Sequence, residues 1–123
     1  MMNQKILIID DDSQDRKGIM IALEKEGYGE LLCAATAQEG LDLARGHNPG
    51  VIFIDVVLDK GIDGFDICVQ LRQEGNKAKI IMVTGHLDAV NAKKARVSGA
   101  DEIVEKTAGF KNLGATIKRI SPA

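Results

Sequence analysis

Short apolar runs punctuate this chain, and each hands over to polar residues. Ile6-Leu7-Ile8-Ile9 runs into Asp10-Asp11-Asp12, Val51-Ile52-Phe53-Ile54 into Asp55, and Ile80-Ile81-Met82-Val83 into Thr84. Runs of this length are too short for helices and read as strands buried on both faces. Leu31-Leu32-Cys33-Ala34-Ala35 and Ile103-Val104 carry the same signal more weakly, the last ending at Glu105-Lys106.

Between the runs the apolar period changes to that of a helix. Ser13 is placed to cap a first helix, with Ile19, Met20 and Leu23 on one side and Gly27 as its stop. Thr36-Ala37-Gln38-Glu39 is a capping box that opens a helix carrying Leu41, Leu43 and Ala44 and ending near Gly46. Asn48-Pro49-Gly50 turns the chain into the strand that ends at Asp55. Asp63 caps a third helix, with Phe65, Ile67, Cys68, Val69 and Leu71, that stops at Gly75-Asn76. A fourth contains Val90, Ala92, Ala95 and Val97 and closes at Ser98-Gly99. A fifth is predicted from Phe110 to Ile120, with Leu113 and Ile117 at helical spacing.

The order is strand-helix, repeated five times. Short loops between alternating elements imply right-handed crossovers and a parallel sheet covered by helices on both faces. The expected fold is therefore α/β: a (βα)5 doubly wound five-stranded sheet in the flavodoxin-like order 2-1-3-4-5, as one domain over residues 1–123. Composition agrees, with 45% hydrophobic and 28% charged residues. A net charge of -2 argues against a nucleic-acid surface built on bulk positive charge. No apolar run is long enough to span a membrane, and the start, Met1-Met2-Asn3-Gln4-Lys5, does not read as a signal peptide. Cys33 and Cys68 lack metal-ligand spacing and read as reduced core thiols of a cytoplasmic protein.

Chemistry comes from the residues just past the strands. In a sheet of this order the first and third strands are neighbours at the switch point, where ligands bind. Asp10, Asp11 and Asp55 then meet in one crevice, with Thr84 and Lys106 on its far side. Three close carboxylates repel one another, and a hard divalent ion relieves the conflict; an all-oxygen set suits Mg2+. A hydroxyl and an ammonium suit phosphoryl oxygens. Together these are the parts of a site in which a carboxylate attacks phosphorus. Singly, each residue could be a helix cap, a turn residue or a solvated charge; their conjunction on different strands is the informative feature.

Those residues, with Asp63-Gly64-Phe65 and Gly99-Ala100-Asp101 leading to Lys106, make the chain resemble the receiver domain of two-component response regulators. The resemblance covers essentially the whole chain. It implies that Asp55 is the phosphoacceptor, fed by a histidine kinase or histidine phosphotransfer domain. It makes Asp10, Asp11, Asp55 and the carbonyl of Val57 the Mg2+ ligands, Thr84 the switch hydroxyl and Lys106 its ion-pair partner. It also implies a protein that catalyses only its own phosphorylation and dephosphorylation, acts as a monomer or weak dimer, and signals by binding a protein partner or passing the phosphoryl group on. The donor would dock on Gln14, Asp15, Gly18 and Thr107. The readout face would hold Lys93, Lys94, Ile103, Lys111 and Lys118.

Several positions depart from the family pattern, among them the loop after Asp55, one residue longer than the commonest form with Asp59-Lys60 where a Pro often sits. Thr107 stands where a Pro usually follows the Lys, and Ile103 where an aromatic ring usually switches. Val57 and His86 flank the expected phosphoryl group, where the family sets its lifetime. His86 reads either as a solvent-facing loop residue or as a screen for attacking water, and His47 as inert. Gly18 is either a helix defect or a close-approach surface. Two other classes compete with the switch: a small haloacid-dehalogenase-type phosphatase built on Asp10 and Asp12, and a receiver-like module that works without phosphorylation.

Overall fold

The computed structural model describes residues 2–120; Met1 and residues 121–123, which the single-domain and signal-peptide readings took in, lie outside the described residues. Five strands, β1 (Met2–Ile9), β2 (Tyr28–Ala34), β3 (Val51–Asp55), β4 (Lys79–Thr84) and β5 (Glu102–Glu105), alternate with α1 (Ser13–Lys25), α2 (Ala37–His47), α3 (Gly64–Gln73), α4 (Ala89–Ser98) and α5 (Leu113–Ile120). The sheet is parallel, in the order β2-β1-β3-β4-β5. Register places Ile9 beside Ile54, Asp55 beside Val83 and Thr84 beside Glu105, so the strand ends line up along one edge.

Adjacent residues of each central strand feed opposite faces, as the pleat requires. Leu7, Ile9, Ile52, Ile54, Ile80 and Met82 pack with Leu41 of α2, Cys68 and Leu71 of α3 and Ala95 of α4. Ile6, Ile8, Val51, Phe53, Ile81 and Val83 pack with Ile19 and Leu23 of α1 and Leu113 and Ile117 of α5. Each fully buried aliphatic or aromatic side chain contributes roughly 1.5–3 kcal/mol relative to exposure. The Gly99-Ala100-Asp101 stretch does structural work at the other end of the sheet. Asp101 accepts from the Ile80 N–H (2.9 Å) and from Arg72 (2.9 Å), which also donates to the carbonyls of Asn76, Ala78 and Gly99.

Helix starts follow the sequence reading with two shifts. Asp12, not Ser13, caps α1: its carboxylate accepts from the N–H groups of Gln14 (2.8 Å) and Asp15 (3.1 Å). Both residue types cap well, so the local pattern did not choose between them. Thr36 and Asp63 cap α2 and α3 as expected, and Glu39 reaches back to the Ala35 N–H. The fifth helix begins at Leu113 rather than Phe110. A 3-10 turn over Ala108–Phe110 precedes it, and Gly109 (φ 72°) and Phe110 (φ 50°) are left-handed, which a continuing helix does not allow. Phe110 instead packs with the α1–α5 side of the core. A Cβ on Gly18 would sit 2.7 Å from the Phe110 ring, so the close approach at Gly18 is to the chain's own aromatic.

Helix α4 corrects the sequence reading most. Only Ala95 and Ser98 are buried on it, while Val90 and Val97 are 63% and 78% exposed. Lys93 and Lys94 line a groove between α3 and α4, together with Phe65, Val69, Val90 and Val97, not the expected face with β5. Lys118 turns to Glu26. The α4–β5–α5 face is lined by Leu87, Ile103, Thr107 and Arg119, with Arg96 beside Ile103 on its α4 side.

Candidate functional site at the edge of the parallel sheet

Asp10 and Asp55 leave neighbouring strands at the same level, and both are buried, Asp10 1% and Asp55 8% exposed. Asp11 is exposed beside them, and one carboxylate oxygen from each of the three lies within 4.8 Å of the others. The backbone around them is fixed. The Asp10 N–H donates to Ala34 O, Arg16 donates to Asp10 O (2.8 Å), and Asp10 Oδ1 accepts from the Asp12 N–H (2.9 Å). On the other strand, the Val56 N–H donates to Val83 O and the Gly64 N–H to Val56 O (2.7 Å). Gly64 is required there: a Cβ would fall 1.9 Å from the Asp55 carbonyl oxygen. That backbone cannot give way, so the start of α3 reaches the Asp55 loop only through a glycine.

Lys106 closes the crevice from β5. Its N–H donates to Thr84 O (2.7 Å), and its ammonium lies 3.3 Å from Asp55 Oδ2, 3.4 Å from Asp10 Oδ2 and 2.6 Å from Asp15 Oδ2. Burial alone would discharge Lys106, but the Asp15 hydrogen bond and the charges of Asp55 and Asp10 outweigh it and raise its pKa. Burial, reinforced by the Asp10 charge, pushes the Asp55 carboxyl up to about 6. Burial also raises Asp10.

Asp10 Oδ2 is buried and accepts no hydrogen bond. The Lys106 ammonium is near it, but at 3.4 Å it serves as a charge neighbour only. An unsatisfied buried carboxylate oxygen facing two further carboxylates is a poor arrangement for the protein alone and a good one for a hard cation. The donor set is all oxygen, and exposed Asp11 leaves room for water. The residues present therefore fit a Mg2+ ion. Val57 approaches through its N–H, 3.4 Å from Asp55 Oδ1, while the residue as a whole is 67% exposed.

Thr84 is buried but is not engaged with the carboxylates. Its hydroxyl donates to His86 O (3.1 Å) and accepts from the His86 N–H (3.2 Å). The loop it holds is tied again from outside: Asn91 donates to His86 O (3.0 Å), and the Leu87 N–H donates to Glu105 Oε1 (3.0 Å). The His86 side chain is 83% exposed, with Asp88 3.8 Å away. His47, Gln14 and Thr107 are exposed, and Ile103 is partly buried against the core.

The fold thus brings Asp10, Asp11, Asp55 and Lys106 together and leaves Thr84 turned into its own loop. Sequence reasoning missed the part that three residues play in the site, although it named Asp15 as a docking contact. Asp15 lies 91 residues from Lys106 along the chain, so nothing local marks it as a partner. Glu105 was read only as the end of a strand. Gly64 was signalled by the Asp63-Gly64 pair, but its reason is tertiary.

Among the described residues, no helix is long and apolar enough to cross a membrane. A model of the response regulator receiver domain matches residues 6–118. The chain is 33% identical over 94% of its length to the transcriptional regulatory protein AfsQ1 of Streptomyces coelicolor, covering 50% of that protein. It is 32% identical over 97% of its length to the alkaline phosphatase synthesis transcriptional regulatory protein PhoP of Bacillus subtilis, covering 49% of it. The chain thus spans about half the length of these curated relatives. Among solved structures, the signal receiver domain of a DNA-binding response regulator from Colwellia psychrerythraea superposes with a TM-score of 0.84 at 28% identity, over 96% of this chain and 98% of that one. The chemotaxis protein CheY4 of Vibrio cholerae does so with a TM-score of 0.86 at 25% identity, over 95% and 98%. Strand order, the acid crevice and these matches agree: the chain belongs to the response regulator receiver domain family.

Proposed function

We propose that the chain is a phosphoacceptor switch in which Asp55 takes a phosphoryl group from the phosphohistidine of a histidine kinase or histidine phosphotransfer domain. An Asp55 carboxylate oxygen attacks phosphorus, the P–N bond to the donor imidazole breaks, and the imidazole leaves with the electron pair. Asp10, Asp11, Asp55 and the Val57 carbonyl would hold Mg2+, which would draw off negative charge during transfer. Lys106 stands where it can pair with the transferred group, and the Thr84 hydroxyl would leave His86 to do the same. The observation that carries this reading is the crevice itself, three carboxylates, one of them with a buried unsatisfied oxygen, and one ammonium beside them.

The phosphatase alternative needs Asp12 as a second acid in the site. Its carboxylate is already committed to the N–H groups of Gln14 and Asp15. Labelling with acetyl phosphate and Mg2+ tests the proposal. Label that is acid-stable, hydroxylamine-labile and absent from Asp55→Asn supports it; label retained in Asp55→Asn and lost in Asp10→Asn supports the phosphatase. Failure to take up either phosphate or beryllofluoride in millimolar Mg2+ would favour a module that works without phosphorylation.

With phosphoryl on Asp55, output would pass through the face of Leu87, Ile103, Arg96 and Arg119, either to a protein partner or by onward transfer. The loop after β4 is fastened at Thr84, Asn91 and Glu105, and release of the first of these would loosen it. Aliphatic Ile103 has no ring to rotate, so the loop itself would carry the change.

A further inference from the structure

Lys106 has three N–H donors, and three carboxylates stand around it. They are not equal. The ammonium sits off centre, 2.6 Å from Asp15 and more than 3 Å from Asp55 and Asp10. A charge-assisted bond of that length is at the short end of its range. The Lys106 and Asp15 side chains are 20% and 29% exposed, so the pair is shielded from water on most sides. Asp15 is also firmly placed, since its N–H is held by the Asp12 cap at the start of α1.

The three acceptors differ in what phosphorylation does to them. A phosphoryl group on Asp55 turns one carboxylate oxygen into the bridging oxygen of an acyl phosphate and adds three phosphoryl oxygens beyond it, and a cation in the crevice would claim Asp10. Asp15 takes part in neither event and keeps its full charge beside the ammonium. Any shift of Nζ from its present place toward the Asp55 side would lengthen its bond to Asp15.

We propose that Asp15 is a positioning residue that anchors Lys106 in the resting state and competes with the phosphoryl group for it. The inference rests on the phosphoacceptor reading. Asp15 is then a brake set by the first turn of α1. It holds back the state in which Lys106 pairs with the phosphoryl group, and its negative charge adds repulsion to a group that arrives as an anion.

Beryllofluoride binding in saturating Mg2+ tests this, followed by the backbone amide signals of Thr84 and Lys106 in heteronuclear NMR. Asp15→Asn keeps the size of the side chain, removes its charge and leaves the core untouched. The variant should bind beryllofluoride about fivefold more tightly than the native chain, the scale of one well-placed ion pair. The Lys106 Cε–Hε signal should also move in the unliganded variant, because the ammonium has lost its anchor. Unchanged or weaker binding overturns the proposal, as does a Lys106 signal that stays in place, since the charge would then act elsewhere. Native protein that binds no beryllofluoride removes the phosphoacceptor reading and this inference with it. Native binding with no gain in Asp15→Asn removes the inference alone.

Discussion

The two halves of the sheet are built to different standards. In β1 and β3, Ile6 to Ile9 and Val51 to Ile54 are each at most 1% exposed, and the carboxylates they deliver are buried. In β5 no residue is buried, and α4 beside it buries only Ala95 and Ser98 while exposing Val90 and Val97. Asp55 and Asp10 belong to the dense half. Thr84 ends β4, which is as densely packed as β1 and β3, while Lys106 and the loop after Thr84, tied to Asn91 and Glu105, belong to the loose one. A reacting carboxylate needs a fixed position, which close packing supplies. A loop that must change partners has to come from the less stable part of a fold. The division of labour proposed for the site would follow the division of packing behind it.

The contrast should show most strongly in the cores. Ile54→Ala should lose about 3–4 kcal/mol of unfolding free energy and Ile103→Ala less than about 1.5, measured by urea denaturation. Equal losses would mean that β5 is as well anchored as β3. The next effect concerns charge in the dense half. Folding raises Asp55 from 3.8 to about 6, so in metal-free protein its ionised form destabilises the native state. Asp55→Asn should therefore be more stable than the native chain by on the order of 2 kcal/mol above pH 6. As pH falls from 6 to 4 the native carboxyl takes up its proton before the unfolded one does, and the advantage should disappear. An advantage that is the same at pH 7.5 and pH 4 would rule out a strained carboxylate.

Mg2+ should relieve the same conflict. At ten times its dissociation constant it should add about 1.4 kcal/mol to native stability, with little gain in Asp10→Asn, read from thermal unfolding with and without the ion. An equal gain in that variant would place the ion elsewhere. The smallest effect belongs to the loose half. Val97→Ser, on an exposed face of α4, should change stability by no more than about 0.5 kcal/mol. A larger loss would show that α4 is packed more tightly than its exposure indicates.

Much of this was legible beforehand because it rests on local signals. Continuous apolar runs marked the strands, and capping residues marked α2 and α3, because burial on both faces and orphan N–H groups make those demands on the sequence directly. Val90 and Val97 misled because an apolar residue on a helix shows periodicity, not what lies opposite. Phe110 misled for a related reason: it fits the helical spacing of Leu113 and Ile117, yet Gly109 allows a turn that sends its ring to Gly18.

The sequence by itself determined the alternation of elements, a parallel sheet covered on both faces, and the residue types that end each strand. With the flavodoxin-like strand order these put Asp10, Asp11, Asp55, Thr84 and Lys106 at one crevice. Only the tertiary structure decided how that crevice is wired. It turned the Thr84 hydroxyl to His86, fastened the loop to Glu105, brought α3 against Asp55 at Gly64 and gave Lys106 its shortest bond to Asp15. Strand ends are set by period and polarity, which are local. Hydrogen-bond and ion-pair partners are set by distances between segments far apart in the chain, and those exist only once the helices have packed.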